Sequence, residues 1–395
     1  MQLVAYGAQD IYLTGNPQIT FFKVVYRRHT NFAMEAIEQT WNGSSTVDGR
    51  CTATISRNGD LVHRMYLEVN APNVGNTGNV CNVGAAWITD VELEIGGQKI
   101  DKQTGLWMEL WAELTEPNPT GATGSLVAAA IAGGTLFQKM SGMGGVRRQA
   151  DGAALGKLYI PLQFWFCRNP GLALPLIALQ YHEVKVILNH NIATNLAEAG
   201  AATNSLFCDY IYLDTDERRR FAQVSHEYLI EQVQEGSLTA GVGDLNFNHP
   251  VKELVWCDAS KLVSAATGVS TPIGTSNTGK FTLKLNGHER FAPRDWRYFS
   301  RVQVWQHHTG AGGLNSANGS AAAGQSGDFD DSIGVYSFAL KPEEHQPSGT
   351  CNFSRIDNAR LEATGAAGVS IDTIFAVNYN VLRIMSGMGG LAYSN

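Results

Sequence analysis

Short runs in which apolar and polar residues alternate recur along the whole chain, and they predict β-strands. In VELEI, which begins at Val91, every second residue is apolar and glutamates lie between. This is the period of a half-buried strand, and FTLKL from Phe281 repeats it. The strands are predicted at Ala36–Trp41, Leu61–Val69, Trp87–Ile95, Leu158–Phe166, Tyr181–Leu188, Phe207–Leu213, Tyr228–Val233, Val251–Trp256, Phe281–Leu285, Val302–Trp305, Val335–Leu340 and Ile371–Leu382.

Helical patterns are scarce and glycine-rich connections are long. Short helices are predicted only at Gly105–Leu114 and Pro293–Phe299. Turn signals such as Gly96-Gly97 and Asn286-Gly287 separate the predicted strands. Three long loops rich in Gly, Ala, Ser and Thr are predicted at Pro117–Gly156, Ser264–Gly279 and Thr309–Asp331. Many short strands with such connections favour an all-β sandwich or barrel.

The two halves of the chain show a faint internal duplication. VELEIGG from Val91 matches FTLKLNG from Phe281, and a Trp-bearing helical segment follows each about ten residues later. FCDYIYLD from Phe207 likewise resembles FAVNYNVL from Phe375. The shared order of these weak matches predicts one β-fold used twice.

The duplication predicts where the domains begin and end. We expect an N-terminal arm at 1–32, a first domain at 33–214, a join at 215–224 and a second domain at 225–395. The join contains TDERRRF, which is charged and lacks glycine. The length of 395 residues also fits two cores better than one.

The arm from Gly7 to Phe32 is rich in apolar and aromatic residues, although it precedes the first confident strand. Gly15-Asn16-Pro17 predicts a turn, because glycine tolerates positive φ and proline presets φ. So many apolar side chains need to be buried somewhere. Either the arm folds back on its own domain, or it docks on a neighbouring subunit or an underlying layer.

Composition narrows the function classes. The net charge of −7 argues against direct nucleic-acid binding, so the pairs and triplet at Arg27, Arg147 and Arg218 are interpreted as local ion-pair partners. Only 16% of residues are charged, which suits a protein that hides surface in an assembly. Six scattered cysteines are typical of reduced core thiols in a chain that folds in the cytoplasm. No signal peptide is expected, and the longest apolar run, Leu126–Ala132, is shorter than the about 20 residues of a membrane helix.

Patterns of catalytic or cofactor chemistry are weak, so no catalytic residue, metal or cofactor is expected. GTSNTGK at Gly274–Lys280 resembles a phosphate-binding loop but continues into Phe281 and a strand rather than Ser/Thr and a helix. The pair His307-His308 alone is not a metal site, and neither HExxH nor GxSxG occurs. The repeated MSGMGG at Met140 and Met385 is interpreted as coincidence, since its offset disagrees with the duplication.

Three sequons are candidate glycosylation sites. They are Asn42, Asn318 and Asn352, of which Asn318 is favoured because it lies in a predicted exposed loop.

Several motifs resemble the major capsid proteins of nucleocytoplasmic large DNA viruses, of the chlorella-virus and iridovirus type. In the arm these motifs include GAQD, GNPQ, FFK and YRR. Further matches are SRNGD from Ser56, LDTDERRRF from Leu213, NYNVLR from Asn378 and SGMGGLAY from Ser386. The arm residues expected to take part in assembly are Gly7, Gln9, Asp10, Gly15, Asn16, Pro17, Phe21, Phe22, Arg27 and Arg28.

The resemblance implies a double jelly roll of two tandem eight-stranded antiparallel sandwiches. It implies homotrimers that form pseudo-hexagonal capsomers, pack against neighbouring capsomers and tile an icosahedral virion shell. The arm is then expected at the inner face, near minor capsid proteins and an internal membrane. Outward loops often carry glycans in members that infect algae. Synthesis and assembly are expected in the host cytoplasm.

Three alternatives stay open at this point. The chain could be a minor double-jelly-roll capsid component, which sequence cannot separate from the main tile. It could be a jelly-roll carbohydrate-binding protein with Trp305 or Trp256 as a stacking platform. A jelly-roll metalloenzyme would need a spaced His/Glu cluster on facing strands.

Overall fold

The computed structural model describes residues 7–71, 82–117, 135–146, 156–196, 202–259, 272–274, 277–310, 312–313, 331–365, 367–368 and 370–393. Much of each predicted Gly-rich loop lies outside these ranges, and so do Cys81, Arg147, Arg148 and Asn318.

The described residues form mainly antiparallel strands. The strands are β1 (Phe32–Gln39), β2 (Trp41–Gly43), β3 (Gly49–Thr54), β4 (Leu61–Ala71), β5 (Ile88–Ile95), β6 (Gln98–Thr104), β7 (Gly156–Pro161), β8 (Leu174–Pro175), β9 (Val184–His190), β10 (Thr203–Leu213), β11 (His226–Ser237), β12 (Gly243–Asp244), β13 (Pro250–Cys257), β14 (Lys280–Leu285), β15 (His288–Glu289), β16 (Arg294–Asp295), β17 (Ile333–Ser337), β18 (Cys351–Asn352), β19 (Ala359–Thr364), β20 (Thr373–Met385) and β21 (Met388–Leu391).

The helices of the described residues are short, and all except the first lie between strands. The α-helices are Ile11–Thr14, Val83–Ala86, Gly105–Thr115, Leu136–Ser141, Trp165–Arg168, Ile192–Leu196, Thr215–Gln223 and Gln303–His307. Pro170–Leu172 and Phe353–Arg355 are 3-10 turns, and Tyr298–Val302 is a π-helical turn.

Each half of the chain contains two antiparallel sheets, and the strand order is repeated between halves. In the first half one sheet runs β1-β10-β4-β7, with β8 paired to β4, and the other runs β2-β3-β9-β5-β6. In the second half the sheets run β11-β20-β13-β17, with β18 and β21 at its side, and β12-β19-β14-β15, with β16 paired to β14. The chain passes back and forth between the two sheets of a half, which is the winding of a jelly roll.

The duplicated sequence motifs occupy equivalent places. Gly96-Gly97 joins β5 to β6, and Asn286-Gly287 joins β14 to β15, each with two successive residues at positive φ. Two-residue hairpins with this geometry favour Gly and Asn, which explains the match. FCDYIYLD lies in β10 and FAVNYNVL in β20, each beside the first strand of its half. The predicted duplication is therefore confirmed.

The two MSGMGG copies adopt unrelated structures. In the first, the backbone N–H groups of Gly144 and Gly145 donate to the buried carboxylate of Glu109 at 3.0 and 3.1 Å. The second forms the β20–β21 hairpin, with Ser386 and Gly387 at positive φ. Their identity is coincidental, as the sequence indicated.

Some predicted elements are wrong. Val302–Trp305 is helical rather than a strand, because a four-residue alternation fits a helix equally well. The helix predicted at Pro293–Phe299 begins at Trp296, after the short strand β16, and continues into the π-helical turn Tyr298–Val302. The strand predicted at Leu158–Phe166 ends at Pro161, and a helix begins at Trp165.

One hydrophobic core joins the two halves. Helix Gly105–Thr115 is buried between the first half and the outer face of sheet β11-β20-β13-β17. The rings of Trp107 and Phe375 lie 5.3 Å apart across this junction. A separate core inside the second half is built on Trp256, Phe281 and Phe299.

Buried charges also connect the halves. The Glu231 carboxylate on β11 lies 2.5 Å from Arg168 of the first half and 2.7 Å from Lys252. Burial raises the pKa of Glu231, but the charges of Arg168 and Lys252 outweigh this effect and hold the pKa well below its usual range. The Lys252 side chain is completely buried, so its charge depends on this carboxylate.

Replacing Glu231 tests this junction. Glu231→Gln should lower the free energy of unfolding by about 3 kcal/mol or more, because two cations lose their buried counter-charge. The matched control is Glu68→Gln, since Glu68 pairs with the largely exposed Lys157 and should change stability by less than about 1 kcal/mol. Chemical denaturation measures both, and equal effects would contradict the role assigned to Glu231.

A second buried charge lies at His308. Its Nε2 is 3.0 Å from Glu253 and its Nδ1 is 3.0 Å from Glu343. Burial lowers the pKa of His308, but the two carboxylates outweigh burial and raise the pKa to about 9. The folded state therefore favours the imidazolium.

This shift predicts a pH dependence of stability. A raised folded-state pKa contributes stability that is complete below the unfolded pKa of about 6.5 and is lost as pH rises through about 9. The difference in unfolding free energy between wild type and His308→Gln should shrink by up to about 3 kcal/mol from pH 6 to pH 10. Denaturation at several pH values measures the difference, and a constant difference would refute the charged state.

Candidate assembly surfaces

The N-terminal arm, residues 7–31, projects from the two sandwiches with its apolar side chains in solvent. Tyr12, Phe21 and Phe22 are 91%, 88% and 99% exposed. Within one chain the arm therefore does not bury these side chains on its own domain, so the fold-back interpretation is wrong for the isolated subunit. An apolar surface of this extent is typical of an interaction site.

Local hydrogen bonds shape the start of the arm. The Asp10 carboxylate accepts from the Gly7 N–H at 2.7 Å, and the Thr14 hydroxyl donates to the Asp10 carbonyl. The turn differs from expectation, because Asn16 takes positive φ while Gly15 has φ −68°. Glycine is needed at 15 for a different reason, since a Cβ there would lie 2.4 Å from the Ile11 carbonyl oxygen.

The arm residues singled out from the sequence all lie on this projecting segment. Asp10 is half-buried, and the others are exposed, namely Gly7, Gln9, Gly15, Asn16, Pro17, Phe21, Phe22, Arg27 and Arg28. The two arginines place positive charge beside Tyr26, which is also exposed.

A second aromatic surface, which the sequence interpretation missed, lies on the outer face of sheet β1-β10-β4-β7. We call Tyr66, Tyr159 and Phe207 the aromatic face. The rings of Tyr66 and Phe207 stack at 5.4 Å, and Tyr66 lies 6.3 Å from Tyr159. Tyr66 and Tyr159 also line a cleft of about 650 Å³. The signal was present, because these residues alternate with core residues along their strands.

The candidate glycosylation sites have different surroundings. Asn42 on β2 and Asn352 on β18 are exposed. The Asn352 side chain accepts from the Ser354 N–H at 3.0 Å, which ties it to the following turn. Asn318 lies outside the described residues.

The cysteines and the arginine triplet have structural roles, as core thiols and as an ion-pair partner. Four of the described cysteines are buried and Cys351 is half-buried, and all five are free thiols. Burial raises the pKa of the Cys167 thiol to about 12, so it is a poor nucleophile. In the arginine triplet, Arg218 lies 2.9 Å from Asp60, which is the ion-pair role expected for this cluster.

The structure bears on the metal, sugar-binding and phosphate-binding sites that the sequence raised. Among the described residues, no group of three or more His, Cys, Asp or Glu side chains is arranged to hold a metal. Trp256 is buried in the second core, so it is wrong as a sugar-stacking platform, whereas Trp305 is 82% exposed. Lys280 of GTSNTGK opens strand β14, not a helix. Within the described ranges, no helix combines the length and apolar character needed to cross a bilayer.

Two family models match successive parts of the chain. One, described as the major capsid protein N-terminus, matches residues 20–228, and the other, described as the large eukaryotic DNA virus major capsid protein, matches residues 217–390. The chain belongs to the major capsid protein family of large eukaryotic DNA viruses.

Relatives of this capsid protein family match from end to end. The major capsid protein of Pyramimonas orientalis virus is 52% identical over 414 residues, covering 100% of this chain and 99% of the relative. That of Paramecium bursaria Chlorella virus 1 is 42% identical over 464 residues, with the same coverage. The solved PBCV-1 VP54 chain, fitted into a reconstruction of the virophage Sputnik, has a TM-score of 0.75 at 36% identity, covering 95% of this chain and 100% of its own.

Membership confirms the predicted family and the double jelly-roll fold. It makes the chain a structural protein of the virion capsid, where such proteins assemble into capsomers and a shell. The two relatives described above are named major capsid proteins, which favours the major-component interpretation over the minor one.

Proposed function

We propose that three copies of this chain form a homotrimer that is a pseudo-hexagonal capsomer of an icosahedral shell. The observation that carries the proposal is the repeated strand order, which gives each chain two similar lobes. Six similar lobes in a ring let a threefold object pack against its neighbours as a hexagon. Closed jelly rolls also leave few sheet edges for stray pairing.

We propose the division into an arm at 1–32, a jelly roll at 33–214, a join at 215–224 and a second jelly roll at 225–395. Strands β1 to β10 lie at 32–213, helix Thr215–Gln223 follows, and β11 begins at His226. The two family models overlap at the same place. Four principal strands in each sheet, with β2, β8, β16, β18 and β21 as additions, support the eight-stranded form for both jelly rolls.

The arm is proposed to dock at the inner face of the shell, on minor capsid proteins close to the internal membrane. The solvent-exposed Phe21 and Phe22 support this role, because burying two such rings requires a partner surface. Arg27 and Arg28 would add charged hydrogen bonds beside the apolar contacts.

Net charge, free thiols and the exposure of the sequons support the remaining proposals on nucleic-acid contact, place of folding and glycosylation. No catalysis, cofactor or direct nucleic-acid contact is proposed, and the net charge of −7 supports the last of these. Free buried thiols support folding in the host cytoplasm before assembly. Asn42, Asn318 and Asn352 are proposed as glycan acceptors, and the exposure of Asn42 and Asn352 supports their modification.

The molar mass of the purified protein in solution tests the homotrimer. Static light scattering of the purified chain at micromolar concentration should give three times the 42.8 kDa chain mass. A large intersubunit area is expected to hold the trimer at this concentration. A clean monomer would contradict the proposal.

The arm is tested separately. Deleting Met1–Phe22 should leave folded trimers but impair shell assembly, because the described part of this segment, residues 7–22, lies outside both sandwich cores. The double variant Phe21→Ser, Phe22→Ser should have the same effect. The matched control is Val47→Ser, an exposed apolar residue away from the arm. Electron microscopy of particles gives the readout, and normal shells from the arm variants would refute docking.

A further inference from the structure

We propose that the aromatic face of one copy is covered, in the capsomer, by the helical segment Tyr298–His307 of a second copy. The proposal rests on the homotrimer proposed above and names the surfaces that join its subunits.

The internal interface buries the outer face of the second half. Phe375 on β20 pairs in register with Val255 on β13, which pairs in turn with Val335 on β17. These three side chains are at most 1% exposed, and they share one core cluster with Trp107 of helix Gly105–Thr115.

The first half presents the equivalent face without such a cover. Phe207 starts FCDYIYLD in β10 as Phe375 starts FAVNYNVL in β20. Phe207 pairs in register with Glu38 and Tyr66, as Phe375 pairs with Glu235 and Val255. Phe207 and Tyr66 are nevertheless only half-buried. Within one chain the aromatic face is therefore the open counterpart of the buried face.

The second half contains a helical segment equivalent to the helix that covers its own outer face. Helix Gly105–Thr115, which covers the second half, follows the β5–β6 hairpin. In the second half, Tyr298–His307 follows the β14–β15 hairpin and exposes Val302 and Trp305, at 38% and 82%. Exposed aromatic rings on one side and stacked aromatic rings on the other are the residue types that dominate protein interfaces.

Geometry favours a second copy as the occupant. Two lobes in one chain can bury one of the two equivalent faces, and this leaves one open face and one open helical segment on the same subunit. Joining the face of one copy to the segment of the next is a head-to-tail contact, which forms a closed ring when its rotation closes and an open filament when it does not. The proposed homotrimer supplies six lobes, so a ring in which this contact repeats the internal interface contains three chains.

Photo-crosslinking tests the contact. A trimer with Trp305→benzoylphenylalanine, assembled from a mixture of isotopically heavy and light chains, should crosslink to a peptide containing Tyr66, Tyr159 or Phe207 of a different copy. The control is Tyr181→benzoylphenylalanine, an exposed position whose backbone N–H donates to Gly387 of the same chain at 2.9 Å. It should crosslink within its own chain. Intersubunit crosslinks from Trp305 to any other surface would overturn the proposal.

Substitutions give an independent readout. Phe207→Glu and Trp305→Ala should each raise the concentration at which half of the chains are trimeric by at least about tenfold. Circular dichroism should be unchanged, because both side chains reach solvent in the single chain. Tyr181→Ala, the matched exposed aromatic, should leave the trimer unchanged.

The outcomes separate the two proposals. Wild-type trimers with unaltered stability in the Phe207→Glu and Trp305→Ala variants would refute these surfaces and leave the capsomer intact. A wild-type chain that stays monomeric would refute both the homotrimer and the contact.

Discussion

The structure depends on the burial of one sheet face of the second half against a helix of the first. Trp107 and Phe375 meet in that junction, and Glu231 neutralises Arg168 and Lys252 beside it. Apolar burial holds the lobes together, while the Arg168–Glu231 pair opposes their displacement, because separating it would deprive the buried carboxylate of one of its two cations. Two sandwiches linked only by a flexible join would have no defined angle, and a hexagonal tile requires one.

The duplication explains why one aromatic face stays open in the single chain. Both halves place an aromatic side chain at the same strand position, Phe207 in one and Phe375 in the other. Only Phe375 is covered within the chain. The contact between the two halves covers the outer face of the second half and leaves the equivalent face of the first half open within one chain. The remaining exposed apolar surface is thus a consequence of the fold and not a defect of it.

Period-two alternation predicted strands such as β5 and β14, and the Gly96-Gly97 and Asn286-Gly287 hairpins made the repeat visible. The strands β3, β6 and β19 were not predicted. Short apolar segments were misread where burial alone does not fix the period, as at Val302–Trp305. Tertiary pairings escaped prediction altogether, because Arg168 and Glu231 are remote in sequence and in different halves. Trp256 shows the same limit, since its sequence neighbours do not reveal that Phe281 and Phe299 enclose it. The aromatic content of the arm was evident from sequence, but its exposure was not.

Capsomer stability and reversible assembly place opposite demands on one rigid body, and the sandwiches and the arm each suit one of them. A capsomer must be stable before it joins the shell, whereas contacts made during assembly must be weak enough for misplaced capsomers to leave. The arm, in its proposed docking role, suits the second task, since its four-residue helix Ile11–Thr14 is too short to be stable as an isolated helix. Ordering costs conformational entropy, which offsets part of the free energy gained by burying Phe21 and Phe22. Large apolar side chains on a segment with little structure therefore give a contact that is specific, yet weaker than its buried area suggests.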